Sequence, residues 1–466
     1  MLVYYIMVVM SKKTSLIILI LVSIGVHFAF FGHPNETVFD EVHFGKFVSA
    51  YYTHEYYFDI HPPGGKLIIA GFAKLFNFSP EYSFAQIGQS FPDYKYLALR
   101  FLPLLAGTFL PIIIYFLALE LGLSIMGAFG VGMLIALENA LLTQSRYILM
   151  DPFLLLFGFS SLLFYFKYKN SGPLIHNTKY LILMALFGGL SVSIKWTGIA
   201  FLGLAGLIEL IDIVRHLSFK RVTNLILYFA VIPLILYFSI FVIHFSLLTK
   251  SGDGDAFMTP AFQSSLADSD YATDPKIKPL NTFQKFIELN KEMYTANKTL
   301  TATHPYSSKW YTWPFMTRPI YYWNQDSTNT PTQSKIYLIG NPIIWWASTV
   351  SIMYLVLSIM GEWISKKRIT LSLNTIPLIL IGGYFVNYLP FIGIGRVMFL
   401  YHYLSALIFA ILALAYLIDQ SKNYRKIWIV LLVISCLSFL YFAPLSYGLP
   451  LEAGSFQHRL WFPTWQ

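Results

Sequence analysis

Apolar runs long enough to cross a lipid bilayer recur along the sequence, and they restrict the fold more than any other feature. A membrane-spanning helix needs ~20 mostly apolar residues, and the sequence contains about eleven candidate spans. They lie near residues 15–32, 98–119, 125–140, 152–167, 180–194, 197–213, 224–247, 342–363, 375–392, 398–418 and 427–443. Only 12% of the 466 residues are charged, against ~25% in an average soluble domain. We therefore predict an all-α integral membrane protein.

Charge and cysteine content exclude some functions. The net charge is +9, but no run of basic residues is interleaved with aromatic ones, so nothing indicates nucleic-acid binding. The single cysteine, Cys436, lies in an apolar stretch; it excludes an intrachain disulfide and is better interpreted as a small buried residue than as a nucleophile. Lys12 and Lys13 precede the first span as in a signal peptide, yet no small-residue cleavage site follows, so we interpret this span as an anchor.

The basic residues of the short connections predict the orientation. With the N-terminus in the cytosol, the connections on that side carry Lys12, Lys13, Lys167, Lys169, Lys179, Arg215, Lys220, Arg221, Lys366, Lys367, Arg368, Lys422, Arg425 and Lys426. The other side receives two long polar segments, about 33–97 and about 248–341, and the tail from 444. We predict an N-in, C-out topology. Because no Gly/Ser linker or repeat divides the chain, we expect one domain over 1–466.

The first outer segment concentrates acidic and histidine side chains: Asp40, Glu41, His43, Asp59 and His61. An acidic pair just beyond a span is often only the solvated start of a loop. Here the pair lies among histidines and rigid prolines at the membrane surface, where a carboxylate can deprotonate and position a hydroxyl. The segment is therefore a candidate general-base site.

Charged and histidine residues also occur inside or beside the spans, at Arg100, Arg146, Asp151, Lys195, Arg396 and His402. A charge at the bilayer centre costs about 2.5–3.5 kcal/mol, so such residues pair or line polar cavities. Snorkelling to the interface is the alternative for each, and an ion pair between Arg146 and Asp151 is equally open. Arg100, Lys195 and Arg396 fall on the predicted outer face. Cations there, opposite carboxylates, suit a phosphate head group.

These residues resemble a known family. The run Asp40-Glu41-Val-His-Phe-Gly45, followed by Phe58-Asp59-Ile-His61-Pro62-Pro63-x-x-Lys66, resembles the first luminal loop of dolichyl-phosphate-mannose protein O-mannosyltransferases. The similarity continues, in order, through Arg100, Ser145-Arg146-x-x-x-Met-Asp151, Ser193-Ile-Lys195-Trp196-Thr-Gly198, Gly254-Asp-Ala-Phe-Met-Thr-Pro, His304-Pro-Tyr-Ser-Ser-Lys-Trp310, Trp313-Pro, Arg318-Pro, Gly340-Asn-Pro-x-x-Trp-Trp346, Phe399-Leu-Tyr-His-Tyr and Trp461-x-Pro-x-Trp465. It extends from about residue 36 to the end of the sequence.

The resemblance implies a GT-C glycosyltransferase bundle with its active site between the outer loops and the membrane. The donor would be a polyprenyl or dolichyl phosphate mannose, and the acceptor a Ser or Thr hydroxyl of an exported polypeptide. Transfer would invert the anomeric centre, so a single base is expected. A lipid monophosphate donor has little charge to neutralise, and an adjacent Asp-Glu is not a separated metal-binding pair, so we expect no cofactor and no obligatory metal.

The resemblance also assigns residues. Asp40 matches the proposed base, with Glu41 beside it supporting the acceptor or the loop, and Arg100 matches a position needed for activity. Around the donor phosphate we expect Arg100, Lys195, His304 and Arg318. The substrate-binding set also includes His61, Asp59 and Arg146.

One departure from the family pattern concerns the second outer segment. Eukaryotic members carry a β-trefoil insert of three MIR repeats there, and the segment in this sequence, about ninety residues long, is too short for that insert. The compact form resembles prokaryotic members, which suggests a plasma membrane. Two alternatives stay open: a GT-C transferase moving another sugar, such as aminoarabinose, to a lipid or glycan, and a transporter. Family members often pair as homo- or heterodimers, but no residue pattern marks a pairing surface.

Overall fold

The computed structural model describes residues 11–171, 178–325, 332–366 and 375–466. The helices before the second outer segment are α1 (Lys12–Phe28), α2 (Glu41–Thr53), α3 (Gly64–Lys74), α4 (Tyr96–Glu120), α5 (Ile125–Ala136), α6 (Asn139–Ser145), α7 (Asp151–Asn170), α8 (Thr178–Ile194), α9 (Ile199–Arg215), α10 (Phe219–Ile226) and α11 (Ile232–Leu247). A single π-helical turn, Leu227–Val231, joins α10 to α11.

The rest of the chain adds α12 (Pro260–Gln263), α13 (Thr282–Thr299), α14 (Pro342–Lys366), α15 (Ile376–Tyr388), α16 (Leu404–Asp419), α17 (Tyr424–Tyr447) and α18 (Ala453–Gln457). Three strands, β1 (Ile320–Gln325), β2 (Thr332–Leu338) and β3 (Pro450–Glu452), form an antiparallel sheet in the order β1-β2-β3. The sequence did not predict this sheet.

Every predicted span coincides with a helix among the described residues. In the part of the chain that the structure describes, seven helices are long and apolar enough to cross a membrane alone: Tyr96–Glu120, Trp196–Arg215, Phe219–Leu247, Pro342–Ser365, Ile376–Gly393, Leu400–Asp419 and Tyr424–Tyr447. The pair α5 and α6, bent by 58°, would make an eighth. The helices α1, α7 and α8 are shorter or less apolar. The helical membrane bundle is therefore confirmed, whereas the count of about eleven spans stays a prediction.

Local sequence explains where key helices begin and break. Ser124 accepts a hydrogen bond from the Gly127 amide at the start of α5, as an N-cap does. The long apolar run of the fifth and sixth spans divides at Lys195, which is extended between α8 and α9. A side chain on Gly198 would lie 2.4 Å from the Ser191 backbone. Only glycine therefore lets the backbone at residue 198 pass so close to Ser191, and this close approach keeps Lys195 at the junction between α8 and α9.

The two outer segments and the tail assemble at one end of the bundle. The Tyr56 amide donates to the Lys250 carbonyl (2.9 Å), and the Phe39 amide donates to the Tyr322 carbonyl (3.2 Å). In addition, β3 from the tail pairs with β2 from the second outer segment. This arrangement agrees with the prediction that all three lie on one side of the membrane. Whether that side faces away from the cytosol stays a prediction. Two of the basic residues on which this prediction rests, Lys367 and Arg368, lie outside the described residues.

The first outer segment contains two helices, α2 and α3, which pack against each other, and α3 also packs against α4. From the sequence, the segment 81–97 could hold a short helix along the membrane surface; in the structure residues 81–95 are instead turns and extended chain, and α4 begins at Tyr96. The helix α2 starts directly after Asp40, so this residue holds the N-cap position.

Candidate active site

The adjacent acids Asp40 and Glu41 have different environments. Glu41 is fully buried, and its carboxylate accepts from the Arg100 Nε (2.7 Å) and Nη2 (2.6 Å). It also accepts the backbone amides of Val38 (2.8 Å) and Ile148 (3.0 Å). A carboxylate with four donors has no lone pair left for an acceptor hydroxyl. Of the two roles expected for Glu41, the structure favours support of the loop.

Arg100 is equally occupied. Besides its two bonds to Glu41, its guanidinium donates to the carbonyls of Gly32 (3.2 Å), Pro34 (2.6 Å) and Glu36 (2.6 Å). All five N–H groups of the side chain are thereby used. The expectation that Arg100 binds the donor phosphate is corrected here: it fixes the polypeptide around the acidic pair instead.

The Asp40 carboxylate, unlike that of Glu41, is not engaged by neighbouring donors among the described residues. Although it is the N-cap of α2, its side chain makes no capping hydrogen bond, and we find no other hydrogen bond or ion pair to it in the described parts of the chain. Burial raises the pKa of Asp40 to about 7, against an opposing effect of Lys195 and with smaller contributions from Asp151 and Asp59. A carboxylate with a pKa near neutrality and no partner can serve as a general base.

Lys195 is held by Asp151. Its Nζ lies 2.8 and 2.9 Å from the two carboxylate oxygens, and both side chains are about nine-tenths buried. Asp151 also accepts from Gln144 Nε2 (2.8 Å), whose Oε1 accepts from the Tyr322 hydroxyl (2.5 Å). The ion pair considered between Arg146 and Asp151 is therefore wrong, because Lys195 takes that position.

Asp59 and His61 lie close to Asp40 and Lys195, respectively. The Asp59 carboxylate forms an ion pair with Lys66, which also donates to the His61 carbonyl (3.0 Å). Burial, and then the nearby Lys195 and Arg396, lower the pKa of His61 well below its usual value. His61 is therefore neutral at pH 7 and can donate or accept a hydrogen bond without adding charge.

A cavity of about 670 Å³ opens beside these groups. One end is polar and is lined by His61, Asp151, Lys195, Arg396, Tyr401 and His402. The walls beyond are apolar, with side chains from α7, α9 and α15 to α16 such as Leu154, Ile199, Val386, Phe391 and Leu404. The arrangement suits a ligand with an anionic head and a hydrocarbon tail.

Arg396 is the cation best placed for that anion. It precedes α16, lines the polar end, and makes one hydrogen bond, to the Val397 carbonyl (3.3 Å), with no ion pair among the described side chains. Tyr401 lies beneath the Lys195 ammonium, 5.1 Å from it. The sequence places Arg396 among the outer-face cations that suit a phosphate head group and His402 just inside a span, but neither residue belongs to the predicted set of site residues. The signal was present in the position of Arg396 before a span.

Three other predicted site residues lie away from the cavity. Arg146 is buried, and its guanidinium donates to the carbonyls of His27, Ala29 and Phe30 at the end of α1. Arg318 donates to the carbonyls of Thr464 (2.7 Å) and Pro305 (3.1 Å). His304 packs its ring on Phe399. These contacts join segments of the chain, so the structure does not bring these three to the phosphate site.

In the described part of the chain, no group of three or more His, Cys, Asp or Glu side chains is arranged to hold a metal ion. The expectation that no metal is required stays a prediction.

Comparison with known proteins decides the family. The family model described as dolichyl-phosphate-mannose-protein mannosyltransferase matches residues 17–249, half of the chain. The model for the C-terminal four-span region of protein-O-mannosyltransferase matches residues 282–465. The chain belongs to the protein O-mannosyltransferase family. The resemblance inferred from the sequence is thereby confirmed, as is its classification as a glycosyltransferase.

Individual relatives of this O-mannosyltransferase agree. Dolichyl-phosphate-mannose--protein mannosyltransferase 1 of Candida albicans is 22% identical over 96% of this chain and 77% of its own length. Protein O-mannosyltransferase 1 of Drosophila melanogaster is 35% identical over 56% of this chain and 31% of its own length. These matches are to transferases, and neither family model describes a transporter.

Solved structures confirm the GT-C fold. The Saccharomyces cerevisiae Pmt1-Pmt2 complex bound to the sugar donor superposes with a TM-score of 0.90 at 22% identity, covering 98% of this chain and 93% of the other. ArnT from Cupriavidus metallidurans bound to undecaprenyl phosphate gives 0.54 at 11% identity, covering 92% and 64%. The O-mannosyltransferase architecture thus fits far better than that of the second transferase.

Proposed function

We propose that this chain transfers mannose from a polyprenyl or dolichyl phosphate mannose to Ser or Thr hydroxyls of exported polypeptides. The observation that carries the proposal is that the Asp40 carboxylate, which has no side-chain partner among the described residues, lies near Lys195 at the cationic end of a cavity with apolar walls. Family membership supports the same reaction, because the relatives are named for it.

The reaction needs one base and one cationic leaving-group site. The acceptor hydroxyl oxygen attacks the anomeric carbon of the mannose while its proton passes to Asp40. The bond between that carbon and the phosphate oxygen breaks, and the lipid phosphate leaves with the electron pair, so the anomeric centre is inverted. Charge develops on the phosphate, where Lys195 and Arg396 stabilise it because both line the polar end of the cavity.

The cavity explains how a lipid-linked donor reaches the base. The apolar walls formed by α9, α15 and α16 accept the first isoprene units, and the polar end receives the phosphate. Asn297 of α13 donates to the Ile60 carbonyl (2.9 Å) and thus ties the outer wall to the loop that carries His61. The sugar would then lie between the phosphate and Asp40.

We further propose a prokaryotic plasma membrane, with the site on the extracytoplasmic face and no metal requirement. The support for the location is the short second outer segment and the basic connections at the opposite end of the bundle. A dimer is proposed because the similar yeast structure is a Pmt1-Pmt2 complex.

The direct test uses membranes that contain the chain, labelled polyprenyl phosphate mannose and a Ser/Thr-rich peptide, with chelator present. We expect label in the peptide, and release of that label by a base-catalysed elimination typical of O-glycosides. Transfer of label to lipid or glycan but not to peptide would favour the other GT-C activity. Uptake of labelled solute into sealed vesicles without transfer would favour a transporter.

A further inference from the structure

Tyr322 occupies an irregular position in the small sheet. The register of β1 and β2 pairs Tyr321 with Tyr337 and Trp323 with Ile336, which leaves Tyr322 as an extra residue without a partner. Such a bulge turns a side chain out of the regular alternation and commonly occurs beside active sites. Here it directs a fully buried tyrosine towards the acidic loop.

The backbone and ring of Tyr322 hold the residue that precedes Asp40. Phe39 adopts a φ of +47°, which is uncommon for a side chain of its size. The Tyr322 carbonyl accepts the Phe39 amide (3.2 Å), and the two rings stack with centroids 4.0 Å apart and planes within 6°. Strained residues persist where their surroundings fix them. The stack therefore fixes the direction in which the chain enters Asp40.

The hydroxyl of Tyr322 is linked to Lys195, on the donor side of the site, by a chain of hydrogen bonds. It donates to Gln144 Oε1, Gln144 donates to Asp151, and Asp151 holds Lys195 through both oxygens. Burial, together with the nearby Asp40, raises the pKa of Tyr322 well above its usual value. The hydroxyl is thus always protonated, and its donation fixes the orientation of the Gln144 amide.

We infer that Tyr322 is a positioning residue that sets the spacing between the base and the donor-phosphate site. Its ring fixes Asp40 through Phe39, and its hydroxyl fixes Lys195 through Gln144 and Asp151. The inference rests on the proposed function, since it assigns Asp40 to the acceptor and Lys195 to the donor. Because one rigid side chain contacts both networks, the two reacting groups are held in mutual register.

Two substitutions separate the halves of this role. Tyr322→Phe keeps the stack and removes only the hydroxyl, so Gln144 and Asp151 hold Lys195 less firmly. We expect the Kd for polyprenyl phosphate, measured without acceptor, to rise about 3- to 10-fold. Phe39→Leu keeps the hydroxyl network and removes the stack. We expect turnover to fall about 100-fold, as misplacement of a reacting group does, with the Kd for polyprenyl phosphate within about 2-fold of wild type.

A matched control and a double variant complete the test. Tyr337 lies on the neighbouring strand, and its hydroxyl makes no hydrogen bond with a described residue, so Tyr337→Phe should change neither quantity. Gln144→Leu should weaken polyprenyl phosphate binding like Tyr322→Phe, and the double variant should be no worse than either, because both break one chain of bonds.

The inference is overturned if Tyr322→Phe binds polyprenyl phosphate like wild type, or if Phe39→Leu lowers turnover only in proportion to the folded fraction. Failure of the proposed function would look different. In that case the wild-type chain would not transfer mannose to the peptide, whichever residue stands at 322.

Discussion

The Arg100 guanidinium contacts both carboxylate oxygens of Glu41, at 2.7 and 2.6 Å, and neither side chain is exposed to solvent. The pair joins the segment between α1 and α2, the start of α2 and the Ile148 backbone into one unit. Asp40, one residue earlier, is left out of it. The acidic pair therefore divides into a structural carboxylate and a reactive one.

This division predicts a loss of stability when the buried pair is broken. Arg100→Lys cannot satisfy two carboxylate oxygens and three carbonyls, and Glu41→Gln leaves the guanidinium charge uncompensated. Removal of one partner of a buried pair typically costs about 3–5 kcal/mol. We expect both variants to show a lower Tm in detergent, measured by thermal unfolding, together with weaker activity. An Arg100→Lys enzyme with wild-type Tm and weaker donor binding would restore Arg100 to the phosphate site.

Arg396 should govern donor affinity. Its guanidinium lines the polar end of the cavity and has no ion pair with any side chain that the structure describes. Arg396→Ala should therefore raise the Kd for polyprenyl phosphate about 10-fold or more, the loss of a charge-assisted bond. Arg318→Ala is the matched control, because Arg318 binds backbone carbonyls away from the cavity. We expect the control to leave this Kd unchanged. Equal Kd values for both variants would place the phosphate elsewhere.

The pH dependence follows from Asp40. Its pKa is raised to about 7 by burial, and only the deprotonated form accepts a proton. The rate at low substrate should therefore rise with pH and level off above about 7. A rate that is flat between pH 5 and 8 would contradict the assignment.

Folding stability should respond to the same group with the opposite sign. A carboxyl whose folded pKa exceeds its unfolded value destabilises the folded state as pH rises through the interval between them. Asp40→Asn removes this effect, so its Tm relative to wild type should increase from pH 5 to pH 8. A Tm difference that is independent of pH would mean that burial does not raise the pKa of Asp40.

Orientation can be tested with tags. The basic connections predict that a tag near residue 270 reports the outside and one near residue 422 the cytosol. Tags near residues 172 and 367, which lie outside the described residues, are also expected in the cytosol. If the tags at 270 and 422 report the same side, the proposed topology is wrong and the active site loses its place outside the cytosol.

The sequence predicted the helical bundle because the length and hydrophobicity of each apolar run decide by themselves whether that run can cross a bilayer. It also predicted the break between two helices at Lys195, which the structure has between α8 and α9, whereas a site in the first outer segment with Asp40 as its base stays a prediction. These conclusions depend on local pattern and on family resemblance, so no knowledge of distant contacts was needed.

Distant contacts explain what the sequence did not predict. Arg100 and Lys195 look alike as cations at the outer face, yet Arg100 meets Glu41 and three carbonyls, whereas Lys195 meets Asp151 at the cavity. Arg146 likewise finds the end of α1 rather than Asp151. The bulge at Tyr322 depends on the register of two strands, and no local pattern marks it. Which partner each buried cation finds is decided by packing between segments far apart in the sequence.

The role of Asp40 as the general base is tested most directly by the turnover of Asp40→Asn, measured per folded molecule at saturating donor and peptide. Asparagine keeps the size of the side chain and removes the basic oxygen. We predict a fall of about 10²–10⁴-fold, the contribution typical of a positioned general base, with the Kd for polyprenyl phosphate nearly unchanged. Near wild-type turnover in well-folded Asp40→Asn enzyme would contradict the account and direct attention to Asp59.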